Sequence, residues 1–193
     1  MIIGIAGNKQ HGKDTVAAYI ARKYGFYHTS LAATMKLACE VIFGWDEEWT
    51  RGNKKDTVDP RWGITPRQAL QLLGTEYGQQ LLCTIPEFKE KTGRCLWVNS
   101  LLEKIPDEAN AVISDVRFIH EVEKIRERGG KIIRVYRKSV PVDYSHPSES
   151  EVPDIHPDCT ILNDGDIDLL QRKVDVVMKS IIHLETECGR DIA

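Results

Sequence analysis

The amino-acid sequence predicts an α/β fold of three layers, a parallel β-sheet flanked by helices. Two observations carry that expectation. β-Branched apolar runs alternate with amphipathic helical stretches along most of the chain, which implies a parallel sheet covered on both faces. Within that pattern, two segments read as complete units: strand, glycine loop and helix from Ile2 to Lys23, and strand, helix and strand from Ala111 to Tyr136.

Each element follows from its local chemistry. Ile2-Ile3-Gly4-Ile5-Ala6 is a short buried strand, and Asp14 to Lys23 sets Val16, Ala17, Tyr19 and Ile20 at helical spacing. Thr34 to Phe43 reads as a second amphipathic helix. Gly44 to Gly63 holds three of the four tryptophans amid charged and turn residues, and predicts an irregular or mobile segment. Thr65-Pro66 opens a helix whose apolar face continues through Leu70, Leu73, Tyr77 and Leu81, with Gly74-Thr75 interrupting it. Trp97 to Leu102 is a further helix. Ala111 to Ser114 is a strand ending at Asp115, Glu121 to Arg128 a helix, and Lys131 to Tyr136 a strand after Gly129-Gly130. Arg137 to Pro157 contains four prolines and few apolar residues, as a loop or lid would. Cys159 to Leu162 and Ile167 to Leu184 complete the pattern with a strand and a helix.

Composition excludes several classes. A length of 193 residues suits one domain, since domains cluster near roughly 150 residues, and 41% hydrophobic with 28% charged residues is a globular balance. The 26 basic against 29 acidic residues give a formal charge of −3, too even for a nucleic-acid partner. Apolar runs such as Met1 to Gly7 fall far short of the ~20 residues of a membrane-spanning helix, and the first strand starts at Ile2 with no export signal before it. Cys39, Cys83, Cys95, Cys159 and Cys188 are odd in number and lack a C-x-x-C pair, so reduced thiols and a cytoplasmic location are expected.

The densest chemical signal is Gly7-Asn8-Lys9-Gln10-His11-Gly12-Lys13-Asp14-Thr15. It fits G-x-x-x-x-G-K with a hydroxyl residue after an inserted Asp. A strand enters and a helix leaves, so backbone N–H groups and the helix N-terminus converge on an anion while Lys13 adds a point charge. Phosphates of ATP or GTP fit that arrangement, with Thr15 placed for Mg²⁺; a chance glycine turn would lack both flanks. Asn53-Lys54-Lys55-Asp56 matches a guanine-reading N-K-x-D, but it precedes the Asp115 strand instead of ending a late one, and that reading is set aside.

Asp115 stands at the C-terminal end of a parallel strand, the edge where α/β proteins bind ligands, and Arg117 follows as a phosphate-gripping fork. Arg67 lies in the first turn of its helix, unfavourable for a cation unless an anion is near, which suggests a phosphate. Gln71 falls on the same face four residues on. Trp97 could stack on a base or fill a core, and His146-Pro147-Ser148-Glu149 lies in the lid stretch. The histidines show no metal-ligand spacing.

Taken in order, Gly12-Lys13-Asp14-Thr15, Arg67 with Gln71-Leu72-Leu73-Gly74-Thr75-Glu76, Leu96-Trp97-Val98, Asp115-Val116-Arg117-Phe118 with Glu121, Gly129-Gly130, His146-Pro147-Ser148-Glu149 and Ile161-Leu162-Asn163-Asp164-Gly165 resemble the phage deoxynucleoside monophosphate kinases, a branch of the P-loop nucleoside monophosphate kinases. Gly44 to Gly63 and the tail after about Leu184 carry no match. The resemblance implies a single P-loop kinase domain over residues 1–193, with a helical monophosphate-binding region at about 34–100 and a lid at about 137–157. It implies that Asn8, Gln10, Gly12, Lys13, Asp14 and Thr15 bind ATP and Mg²⁺. Lys9, Lys36, Arg67, Gly74, Thr75, Trp97, Asp115, Arg117 and Glu121 would line the deoxynucleotide side, Arg137 would be a lid cation and Asn163 would lie near the adenine. A homodimer and, for a phage-encoded chain, the host cytoplasm also follow from it. The implied reaction converts a deoxynucleoside monophosphate and ATP to the diphosphate and ADP. A P-loop kinase for a hydroxyl acceptor, with Asp115 as base, and an ATP-binding switch protein are the alternatives.

Overall fold

A computed structural model describes residues 1–142 and 150–188, with side chains up to 184. The chain divides into two compact units, one formed by Met1–His28 with Glu108–Ala193 and the other by Thr29–Asp107.

In the first unit the apolar runs form the sheet. β1 (Ile2–Ala6) is buried at every position, as a strand covered on both faces must be. It lies at the centre of a five-stranded sheet in the order β2-β3-β1-β4-β5, where β2 is Tyr27–Thr29, β3 Ala111–Val116, β4 Lys131–Tyr136 and β5 Cys159–Leu162. β1 pairs in parallel with β3 (Ile2 opposite Ala111) and with β4 (Ile3 opposite Lys131), and β4 pairs in parallel with β5. β2 has three residues, too few for its alternation to show in the sequence.

α1 (Lys13–Tyr24) buries Val16, Ala17 and Ile20 together with Leu170, Val174, Met178 and Ile181, against Ile3, Ile5, Val112, Ile133 and Val135 of the strands. Those four later residues belong to the long terminal helix Ile167–Cys188, here α8. α7 (Ile119–Glu127) packs on β1 and β4 through Val122 and Ile125. The stretch after β4 was expected as a loop or lid. Its described part begins with a turn in which the Val140 N–H donates to the Arg137 carbonyl, and ends in a 3-10 turn, Val152–Asp154, with Val152 and Ile155 buried. His146, Pro147, Ser148 and Glu149 lie outside the described residues.

The second unit is helical: α2 (Ala32–Phe43), α3 (Glu47–Thr50), a 3-10 turn (Asn53–Asp56), α4 (Pro66–Gln71), a ten-residue π-helix (Leu72–Leu81), α5 (Pro86–Lys91) and α6 (Leu96–Leu102). Residues 44–63, expected to be irregular, are a packed element. Trp45 is buried with Cys39 and Ala69, stacks on Phe43 with centroids 4.4 Å apart, and donates its indole N–H to Asp59 at 2.7 Å. Arg61 grips the same Asp59 carboxylate, so the indole and a guanidinium share one buried acceptor. The Arg61 fork, followed by the indole hydrogen bond, holds that carboxyl well below the usual carboxylate range, against the opposing effect of burial. Aromatic packing without a helical or strand period supplies the order here.

The break expected at Gly74-Thr75 is also different. α4, with Pro66 at its first position and the Thr65–Gln68 capping box, runs directly into the π-helix. The ring of Trp97 lies so close to Gly78 that a Cβ there would meet Nε1 at 2.3 Å, and Nε1 donates to the Gly74 carbonyl at 2.9 Å. Gly78 makes room for the indole and Gly74 for Met35, whose Sδ a Cβ there would meet at 2.9 Å, and the helix continues through both. π-Turns of this kind concentrate at functional sites.

Candidate active site

In the first unit the loop between β1 and α1 makes a tight cradle. Three residues adopt left-handed backbone: Gly7 at φ 150°, Gln10 at φ 64° and Gly12 at φ 98°. A Cβ at Gly7 would come within 2.4 Å of the Val135 carbonyl, and one at Gly12 within 2.5 Å of Asn163 Nδ2, so neither position admits a side chain. Gln10 is the non-glycine exception, and strain of about 1–3 kcal/mol is typical of such residues at functional loops.

Lys13, the first residue of α1, is buried and donates to the Asn8 carbonyl at 2.7 Å. Burial, and then the nearby Arg117 guanidinium, push its pKa down to about 7, while Asp14 and Asp115 partly offset them. That balance places Arg117 and Asp115 within electrostatic reach of Lys13. An ammonium held where its charge is poorly solvated is primed for an anion. Asp14 and Thr15 are exposed in the first turn of the same helix.

Asp115 lies within β3, which runs one residue past the expected end to Val116, and the turn that follows with Arg117 is fastened by Glu121. The buried side-chain oxygen Oε2 of Glu121 accepts the backbone N–H of Arg117 at 2.8 Å and of Phe118 at 3.0 Å, capping α7. Burial pushes its pKa up to about 8, against the two N–H donors; Asp115 adds to the rise and Arg117 opposes it. Glu121, assigned to the deoxynucleotide side by resemblance, acts in this structure on the backbone that presents Arg117.

A cavity of about 830 Å³ opens above the loop. Gln10, Gly12, Lys13, Asp14, Thr15, Arg137 and Asn163 all line it, which brings together the predicted ATP side except Asn8, itself buried beneath Lys13. Asn163 also donates to the His11 carbonyl at 3.0 Å, tying the β5–α8 connection to the loop. The further wall, Gly165 to Asp168 with Leu170, was not assigned from the sequence; the signal was the Gly165-Asp166 turn, whose Asp166 carboxylate caps α8 by accepting the Leu169 N–H at 2.7 Å. His11, also unassigned, is fully buried with its ring edge-on to Tyr136 at 5.4 Å. Lys9 is exposed on the loop.

The second unit holds the remaining predicted residues. Lys36 is half-buried on α2, Arg67 and Gln71 lie on α4, Gly74 and Thr75 are buried in the π-helix, and Trp97 is half-buried on α6 with its N–H used on Gly74. Arg67 has a partner within its own unit. The anion beside it is a protein group, Asp56, which accepts from its Nε and, at 3.0 Å, from its Nη2. That ion pair answers the electrostatic problem of a cation in a helix's first turn without a ligand.

A glycine cradle between a central strand and a helix, with a buried lysine and a strand-end aspartate and arginine beside it, defines a P-loop phosphotransferase. The fold agrees. Shikimate kinase from Aquifex aeolicus superposes with a TM-score of 0.51 at 14% identity, over 94% of this chain and 98% of that one. The Thermus thermophilus protein TT1252 superposes at 0.50 with 18% identity, over 93% and 97%. A family model described as deoxynucleotide monophosphate kinase matches residues 46–174. An Acanthamoeba polyphaga mimivirus protein with the deoxynucleotide monophosphate kinase designation is 38% identical over 162 residues, 80% of this chain and 83% of that protein. The deoxynucleoside-5'-monophosphate kinase of Escherichia phage T5 is 35% identical over 108 residues, 52% of this chain and 40% of the phage protein. The chain belongs to the deoxynucleotide monophosphate kinase family. The family match includes most of residues 44–63, where the sequence alone had offered no resemblance.

Proposed function

We propose that this chain transfers the γ-phosphoryl group of ATP to the phosphate of a deoxynucleoside monophosphate, releasing ADP and the deoxynucleoside diphosphate. The observation that carries the reading is the buried Lys13 in its glycine cradle with Arg117 and Asp115 in electrostatic reach, within a chain of this family. Gln10, Gly12 and Lys13 take the donor phosphates, and Arg137 with Asn163 and the wall of Gly165 to Asp168 with Leu170 takes the rest of the nucleotide. Asp14 and Thr15 offer oxygen ligands on the same cavity, the donor type Mg²⁺ prefers. The metal supplies charge neutralisation between the phosphates.

The acceptor oxygen needs no dedicated base. A phosphate monoester has its second pKa near ~6, so at neutral pH it is mostly a dianion that has only to be positioned. Lys9 and Arg117 of the first unit, and Lys36 and Arg67 of the second, offer the cations that phosphates need. Gln71, Gly74, Thr75 and Trp97 shape the nucleoside end. The chain also forms a homodimer in this reading, through the exposed apolar residues Leu37, Val41, Leu72 and Leu81 of the second unit; sedimentation as a single-chain species contradicts that part.

Coupled ADP release with ATP and Mg²⁺ tests the reaction. Turnover is expected with dGMP, dTMP, dCMP or dAMP above a no-acceptor control. ATP binding with no acceptor-dependent turnover favours the switch protein instead.

A further inference from the structure

Arg67 occupies the second position of α4, where the partial positive charge of the helix N-terminus opposes a cation. Asp56 holds it there from a separate element, the 3-10 turn Asn53–Asp56. One carboxylate oxygen accepts from Nε and the other from Nη2, a two-point fork along a single edge of the planar guanidinium. The fork fixes the plane of the group and leaves the Nη1 N–H bonds on the edge facing away from the carboxylate. Arginine otherwise carries about 2 kcal/mol of rotamer entropy, which a ligand would have to remove on binding.

The pair is a poor stabiliser of the fold. The side chains are 33% and 66% exposed for Arg67 and Asp56, and exposed ion pairs contribute little. The neighbouring residues of the turn are used locally: Lys54 Nζ lies 5.2 Å above the Trp49 ring, and the Asn53 N–H donates to Glu48 at 3.2 Å. The Asn53-Lys54-Lys55-Asp56 sequence forms a 3-10 turn instead of ending a strand, so it is not placed as a guanine reader. Its aspartate is directed at an arginine.

We propose that Asp56 is a positioning residue for the acceptor phosphate, orienting the Arg67 guanidinium so that its Nη1 edge meets the phosphate of a nucleoside monophosphate. The proposal rests on the reading of Arg67 as a phosphate ligand. The carboxylate stays on the opposite edge, where solvent screens its repulsion of the incoming dianion.

The test is steady-state kinetics with Asp56→Asn, Asp56→Glu and Arg67→Ala, with a urea unfolding midpoint for each. Asp56→Asn is expected to raise the KM for the deoxynucleoside monophosphate by about tenfold, a share of one charge-assisted hydrogen bond. The KM for ATP and the unfolding midpoint stay near wild type, kcat changes less than the acceptor KM, and Asp56→Glu recovers most of the loss. An unchanged acceptor KM in both Asp56 variants, with a raised one in Arg67→Ala, overturns the positioning role and leaves Arg67 in the site. A lowered acceptor KM in Asp56→Asn also overturns it, because the carboxylate would then be competing with the phosphate. An Arg67→Ala enzyme with unchanged kinetics removes Arg67 from the site, and the proposal falls with that reading.

Discussion

Lys13→Met is expected to reduce phosphoryl transfer by about 10²–10³-fold, the scale lost when one preorganised charge is removed from a transition state. The empty protein is expected to become more stable at the same time. Lys13 is the buried cation of the cradle: one carbonyl, that of Asn8, accepts from it at 2.7 Å, and Arg117 repels it. Methionine keeps the length of the stem and removes a charge whose burial the fold must otherwise offset. Function and stability therefore move in opposite directions, as they do where a site is held in a strained state for its ligand. Single-turnover transfer and a urea midpoint on the same preparation measure both. Transfer within about tenfold of wild type would place the essential charge elsewhere.

The second large effect is a pH dependence that Glu121→Gln removes. The Glu121 carboxyl, raised to about 8 chiefly by burial, is an acid that the folded protein prefers protonated. Such a group contributes stability that is fully present below its ordinary pKa near 4.5 and is lost as pH rises through about 8. Glutamine cannot ionise, and it keeps an oxygen for the N–H groups of Arg117 and Phe118. The variant is expected to match wild type near the acid end and to exceed it at pH 9 by an amount on the order of a few kcal/mol. Urea unfolding at a series of pH values decides it. Parallel curves for the two proteins would mean that Glu121 is ionised throughout and that its two backbone donors outweigh burial.

The parts of the fold written in local sequence were legible. Ile2 to Ala6, the glycines of the loop and the spacing of Val16, Ala17 and Ile20 specify strand, cradle and helix within about two dozen residues. Asp115 was legible as a polar residue near the C-terminal end of an apolar strand, which runs one residue further, to Val116. What escaped depended on contacts across sequence. The tryptophans of residues 44–63 carry no periodicity, so their stacking and the Trp45–Asp59 hydrogen bond became visible only in three dimensions. Gly74 looked like a helix break because the indole that fits against the widened helix comes from Trp97, 23 residues later. Arg67 shows the limit most clearly. Its place in a helix's first turn demanded an anion, and position alone could not show that Asp56, 11 residues earlier, supplies one within the fold.

The central claim is that the γ-phosphoryl group passes to a phosphate oxygen. Its most direct test follows the label from γ-labelled ATP with Mg²⁺ and a single deoxynucleoside monophosphate. Label is expected in the β-phosphate of the deoxynucleoside diphosphate, in equal amount to the ADP formed, and none without the acceptor. Label recovered as inorganic phosphate whether or not the monophosphate is present would contradict it.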